Sequence, residues 1–184
     1  MFTVNGEALS FVGWPKIARL SRDVIVTEKL DGTNAQIIIS DDGMQIAAAS
    51  RTRLITPQDD NFGFAGWVER NREALLRLGP GRHYGEWWGS GIQRGYGLKE
   101  KRFSLFNVTR WLQSNIDAPV YVVPVLYKGM FDLLEIEKCL TGLSSWGSVA
   151  APGFKNPEGV VVFHTASGHS YKKTLDKNDG HKGL

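Results

Sequence analysis

A chain of 184 residues is long enough for one sizeable hydrophobic core, and 42% hydrophobic with 22% charged residues excludes a disordered or low-complexity protein. A formal net charge of +3 is compatible with an anionic partner but does not establish nucleic-acid binding. The one cysteine, Cys139, excludes an internal disulfide, and no apolar run nears the roughly 20 residues of a membrane span.

The first ten residues lack the positive start and apolar stretch of a secretory signal, so a cytoplasmic protein with no membrane partner is expected. Trp14-Pro15-Lys16-Ile17 predicts a short helix with Pro15 in its first turn. Two apolar runs, Val24 to Val26 and Ile37 to Ile39, then bracket Glu28-Lys29-Leu30-Asp31-Gly32-Thr33-Asn34. A lysine between two strand-like segments, followed by Asp and Gly, is poorly explained as surface decoration. As a nucleophile it must be unprotonated, so desolvation or a nearby cation has to lower a pKa of about 10.4 in water. Gly32 lets the backbone turn sharply or approach a phosphate where a side chain would collide. The stretch reads as a lysine that attacks a nucleotide phosphate.

Asp41-Asp42-Gly43 marks a turn into a third strand, Met44 to Ala49, so an antiparallel unit is expected around the lysine. Arg51 and Arg53 follow it, where guanidinium groups could face a phosphate or simply form a solvated basic turn. Thr56 to Gly66 is loop-like, and Trp67, Val68, Leu75, Leu76 and Leu78 have helical spacing up to the stop Gly79-Pro80-Gly81. His83 to Trp88 predicts an aromatic strand carrying Glu86, which must face water or hold a partner. Gly89, Gly91, Gly95 and Gly97 suggest a mobile loop beyond it.

Phe103 to Val108 predicts a strand whose alternation separates Phe103 from Phe106. Val120 to Leu126 is β-rich, but Pro124 restricts it to an edge or a bulge. Phe131 to Leu143 has the pattern of an amphipathic helix. Asn156-Pro157-Glu158-Gly159 then turns into a continuously apolar strand with Glu158 at its mouth. A hairpin around Ser167-Gly168 leads to a basic strand with Lys172 and Lys173, and Asp176 to Leu184 forms a polar tail. The four histidines lack zinc-type spacing, and neither a Walker glycine loop nor a Gly-x-Gly-x-x-Gly fingerprint is present.

Taken in order, Lys29-Leu30-Asp31-Gly32, Ser50 to Arg53, Tyr84-Gly85-Glu86, Phe103 to Val108, Glu158 to Val161 and Lys172-Lys173 resemble the motif series of the covalent nucleotidyltransferases. That superfamily comprises ATP-dependent RNA and DNA ligases and capping guanylyltransferases. Glu28-Lys29 with Gly32-Thr33-Asn34 is most similar to the phage T4 RNA ligase 2-like family, and the resemblance runs from about Val24 to Thr174. It implies an α+β adenylyltransferase fold of antiparallel sheets flanked by helices, with the nucleotide between the sheets. It also implies ATP and Mg²⁺ (or Mn²⁺) as cofactors and RNA ends, in a nicked duplex or otherwise, as the partner of a monomer. Three steps follow: lysine takes AMP from ATP, AMP passes to a 5′-phosphate, and a 3′-hydroxyl displaces it.

Under that resemblance Lys29 forms the phosphoramidate and Glu28 fixes either the adenine or the loop. Asp31 and Asn34 orient the lysine and the α-phosphate. Arg51 meets phosphate or ribose, with Arg53 as the second choice. Glu86 accepts from a ribose hydroxyl, Phe106 stacks on adenine with Phe103 as the fallback, and Glu158 binds hydrated metal or supports the lysine. Lys172 and Lys173 stabilise the charge on the α-phosphate. Two departures stand out: those lysines are adjacent, so only one can reach the phosphate and Lys172 is preferred, and a single domain over 1–184 leaves no C-terminal domain. A DNA ligase, a guanylyltransferase and a non-catalytic nucleic-acid-binding relative are the rival readings.

Overall fold

The computed structural model describes residues 3, 4, 6–8 and 10–176, so the polar tail after Asp176 lies outside the described residues. A short ribbon of β1 (Thr3–Val4) and β2 (Glu7–Ala8) opens the chain. Residues 10–19 then carry no regular structure, and Trp14 and Ile17 are exposed. The helix expected there does not form, because a turn or two of helix needs an apolar face to pack on and this segment has none.

The lysine stretch joins two strands of different sheets. β3 (Asp23–Lys29) lies in a four-stranded antiparallel sheet, whereas β4 (Thr33–Ile39) pairs with β5 (Ile46–Ser50) through the expected turn in a six-stranded sheet. β6 (Leu54–Ile55) closes one edge of the latter, and β7 (Gly81–Gly89), β8 (Lys101–Leu105) and β9 (Val120–Val122) extend the other, giving the order β6-β5-β4-β7-β8-β9. Among the described strands only β8 and β9 run parallel. At Pro124 the chain leaves this sheet and enters β10 (Val125–Met130), whose sheet has the order β10-β3-β11-β12, with β11 (Gly159–His164) and β12 (His169–Thr174). Both strands flanking Pro124 are edges, where a residue without an N–H is tolerated.

Helices cover the two outer faces. The predicted helix over 67–78 starts earlier and divides at Asn71 into α1 (Phe64–Arg70) and α2 (Arg72–Leu76). Phe64, Val68 and Leu75 pack on Ile37, Trp87 and Phe103 of the six-stranded sheet. On the other sheet, α3 (Leu133–Trp146) lays Ile136, Leu140 and Leu143 against Val24, Val26, Val160 and Val162, its N-terminus capped by the Asp132 carboxylate accepting from the Leu134 N–H. The inner faces of the two sheets are left to face one another. None of the helices among the described residues is long and apolar enough to cross a membrane.

The glycine-rich loop after β7 is a series of consecutive turns rather than a slack segment. Ile92, Gly95 and Leu98 N–H groups donate to the carbonyls of Gly89, Ile92 and Gly95, and Ile92 is fully buried.

Candidate active site

Strand alternation decides what each residue of β3 faces. Ile25, Thr27 and Lys29 point between the sheets, while Val24, Val26 and Glu28 point to α3. Between the sheets lies a cavity of about 570 Å³, walled on one side by Lys29, Val161, Phe163 and Ser170 and on the other by Asn34, Tyr84, Glu86 and Phe106. Lys29 stands at one end. The register Gly159↔Lys29 sets Glu158 just beyond it, and Lys29 Nζ lies 2.5 Å from Glu158 Oε2, with side-chain exposures of 23% and 16%. That oxygen is buried yet accepts no well-aligned hydrogen bond, so the contact is an ion pair of poor angular geometry. Gly159 lets β12 pass close beside this turn: at φ +151° its Cβ would sit 2.2 Å from the Lys173 carbonyl oxygen.

Glu86, opposite Asn34 in the β4–β7 ladder, braces the turn after the lysine. Its Oε1 accepts from the Gly32 N–H at 3.1 Å and its Oε2 from the Asn34 amide at 3.0 Å. Burial pushes its carboxyl up to about 7, against the Asn34 bond, the Lys29 charge and the Gly32 bond, while the Glu158 charge adds to the rise. The turn itself demands glycine, since a Cβ on Gly32 would lie 2.4 Å from the Trp87 carbonyl oxygen and 2.7 Å from Trp88 Cβ. Gly32→Ala is therefore expected to destabilise the fold by about 2 kcal/mol, as overpacking against backbone does. Urea denaturation checks this, and a loss below about 0.5 kcal/mol would contradict it.

Several expected residues stand elsewhere. Glu28 borders the cavity, but its side chain is 1% exposed and its carboxylate is engaged on the α3 side, accepting from Ser148 Oγ (2.6 Å) and the N–H groups of Val149 (2.8 Å) and Ala150 (2.9 Å). Its side chain holds the loop after α3, and burial raises its pKa despite these three bonds. Asp31 pairs with Arg94 (2.8 Å) rather than with the lysine, and its N–H donates to the Tyr96 hydroxyl at 2.9 Å. Burial drives the Tyr96 phenol well above its ordinary range, so it remains a neutral acceptor.

Phe103 is fully buried against Phe64 and Trp67, which removes it as a stacking residue, whereas Phe106, just past the end of β8 and 42% exposed, lines the cavity. Arg51 is exposed in the turn between β5 and β6; continuing the register Ala35↔Ser50 by one step brings it beside Asn34, outside the cavity lining. Arg53 is engaged by Asp59 in a forked pair at 2.5 and 2.9 Å. Lys172 lies opposite Val161 and so faces the cavity side. Lys173 lies opposite Val160, on the α3 side, where its ammonium pairs with Glu137. Lys173 thus stands on the opposite face from Lys172, as expected of neighbouring strand residues.

Sequence reasoning missed Arg94, Tyr96 and Ser148, which come from loops with no local signal of contact with the lysine stretch. It also missed Phe163 as a cavity wall, which the alternation of β11 did encode. Among the described residues no cluster of three or more His, Cys, Asp or Glu side chains could hold a metal. A divalent cation here would rest on Glu158 and take its remaining oxygens from water and a nucleotide, an arrangement that suits Mg²⁺. The buried, unaligned Glu158 oxygen fits that role.

Residues 22–174 match the family model described as RNA ligase. Among solved structures, RNA ligase from Naegleria gruberi with PPi is similar at a TM-score of 0.60 and 23% identity, over 94% of this chain and 58% of that chain. A point mutant of the same ligase with ATP and Mn gives 0.59 and 22%, over 84% of this chain and 50% of that one, and a mutant with AMP and Mn gives 0.59 and 21% over the same shares. The chain thus spans about half the length of these ligases, and the likeness fixes the fold as the α+β one they share. No curated protein matches.

Proposed function

Because the chain belongs to the RNA ligase family, we propose that it is an ATP-dependent nucleotidyltransferase domain that seals RNA through a lysyl-AMP intermediate. The observation that carries this reading is the Lys29–Glu158 pair, held at 2.5 Å at one end of a cavity between two sheets. An ammonium in an ion pair has no lone pair to offer, so Lys29 must release its proton before it can attack. The freed Nζ attacks the α-phosphorus of ATP; the P–N bond forms as the bond to the pyrophosphate oxygen breaks, and pyrophosphate leaves.

Adenine fits between Phe106 and the apolar wall of Val161 and Phe163. Each Glu86 oxygen already accepts one bond and can accept another, which leaves room for a ribose hydroxyl. Lys172 faces the side where charge builds on the phosphate. Mg²⁺ or Mn²⁺, when bound, would neutralise phosphate charge and orient the leaving group. AMP then passes to a 5′-phosphate on RNA and is displaced by a 3′-hydroxyl. The same reading makes the protein a cytoplasmic monomer working on RNA ends, with a nick in a duplex as one substrate.

Incubation with ATP and Mg²⁺ followed by intact-mass measurement is expected to show an adduct of about 329 Da, an adenylyl group joined through nitrogen. The adduct should map to the Lys29 peptide and be released by acid. Folded protein that gains no mass, or gains it on another residue, would overturn the reading. Labelling by GTP in place of ATP would point to the guanylyltransferase, and joining of DNA but not RNA ends to the DNA ligase.

A further inference from the structure

Arg94 sits in the loop between β7 and β8, a part of the six-stranded sheet, and its guanidinium reaches across to the other sheet. Nε donates to Asp31 Oδ2 at 2.8 Å, and Nη1 to the carbonyl oxygens of Asn156 at 3.2 Å and Pro157 at 3.3 Å. Nη2 donates to the Asp176 carboxylate. Asp31 lies two residues after Lys29, Pro157 one before Glu158, and Asp176 four after Lys172. The strands concerned, β3, β11 and β12, are neighbours in one sheet. A single side chain therefore gathers the ends of all three strands and fastens them to the opposite wall of the cavity.

The bracket from which it reaches is stiff. Gln93 and Tyr96, on either side of Arg94, adopt positive φ values of 44° and 54°, a conformation that non-glycine residues hold only when their surroundings enforce it. The enforcement is visible: Ile92 is buried, and Tyr96 packs edge-on against Trp88 at 4.9 Å while accepting the Asp31 N–H. The Arg94 side chain is only 17% exposed, and its planar fork is matched to carboxylate and carbonyl acceptors in a way that a lysine ammonium is not.

We infer that Arg94 is a positioning residue for the transfer reaction, setting Lys29 against Glu158 and holding β12, with Lys172, at the phosphate end of the cavity. This rests on the lysyl-AMP reading above. Arg94 touches no reacting atom; it acts through Asp31, Pro157 and Asp176. A guanidinium that only stabilised the fold would lower the fraction of active protein without altering how the active fraction works.

The test is single-turnover formation of the AMP adduct by wild type, Arg94→Ala, Arg94→Lys and Asp176→Asn, across an ATP series and a neutral-to-alkaline pH series. Arg94→Ala is expected to lower the limiting rate about 100-fold, the scale of a 1 Å misplacement. Its ATP half-saturation should stay within about threefold, since ground-state binding is untouched. Its pH profile should shift, because the Lys29–Glu158 contact loosens, and millimolar guanidinium should restore the rate at least in part. Arg94→Lys should recover less than half of the loss, and Asp176→Asn should lose less than about tenfold, one of four contacts being weakened. A wild type that forms no adduct defeats the lysyl-AMP reading itself. An active wild type with Arg94→Ala and Arg94→Lys at its limiting rate overturns this inference alone, as does a loss that follows a lowered melting temperature and resists guanidinium. Should Arg94→Ala fail to fold, native-melting Arg94→Lys and Asp176→Asn with reduced limiting rates support the inference, and wild-type rates in both overturn it.

Discussion

Lys29→Arg is expected to fold normally and yet carry no adenylate under any ATP concentration. Arginine keeps a positive charge opposite Glu158, where the native pair is mostly shielded from solvent at 2.5 Å. Its guanidinium does not lose a proton in proteins and so cannot present a lone pair to phosphorus. The substitution separates two roles that Lys29→Ala would remove together: partner of Glu158 and nucleophile. Thermal or urea unfolding should differ from wild type by less than about 1 kcal/mol, the range in which ion-pair rearrangements fall. Intact-mass spectra should show the unmodified protein only. An adduct on the Arg variant would mean that another residue is the nucleophile, and the reading of the cavity would have to be abandoned.

The second large effect is a fall in stability with rising pH, traceable to Glu86. Burial lifts this carboxyl from 4.5 to about 7 in the folded protein. Below pH 4.5 both folded and unfolded chains hold the proton and nothing is lost. Between 4.5 and about 7 the unfolded chain releases it while the folded chain retains it, so stability drops, and above about 7 the loss is complete. At 1.36 kcal/mol per pKa unit the whole change is about 3 kcal/mol. Glu28, also raised by burial, acts in the same direction. His83 acts in the opposite one below pH 6.5, because burial lowers its pKa and the unfolded chain binds the extra proton. Comparison with Glu86→Gln isolates the carboxylate: urea unfolding across the pH series should give a slope that flattens in the variant. Equal slopes in the two proteins would show that Glu86 does not hold its proton.

What could be read from the sequence was mainly chemistry; what could not was the meeting of distant segments. Lys29 and Glu158 stood out by residue type and neighbours, and the structure brings them together. Strand alternation parts Lys172 from Lys173, as expected, and by the same rule sends the Glu28 side chain to the α3 face, beside Ser148. Alternation parted Phe103 from Phe106, but the preference for Phe106 came from the resemblance alone, because the residues do not tell which face of β8 the paired helices α1 and α2 cover. The glycines after β7 suggested slackness, whereas the loop is held by the burial of Ile92 and by bonds of Arg94 and Tyr96 to Asp31, more than sixty positions away. The separation of β3 from β4 into two sheets had no signal at all, since a turn within one sheet and a crossover between two look alike over three residues.

That crossover sits beside the other one. The chain passes between the sheets at Leu30 to Gly32 and again at Pro124, and the two passages are stitched by the Glu28 N–H donating to the Pro124 carbonyl at 3.0 Å. Such a seam works like the spine of a book. A small rotation about it parts the covers widely at their free margin but scarcely displaces what is bound near the spine, where Lys29 is set. On the proposed reading, a bulky heterocycle would be admitted at the wide side without disturbing the Lys29 amine.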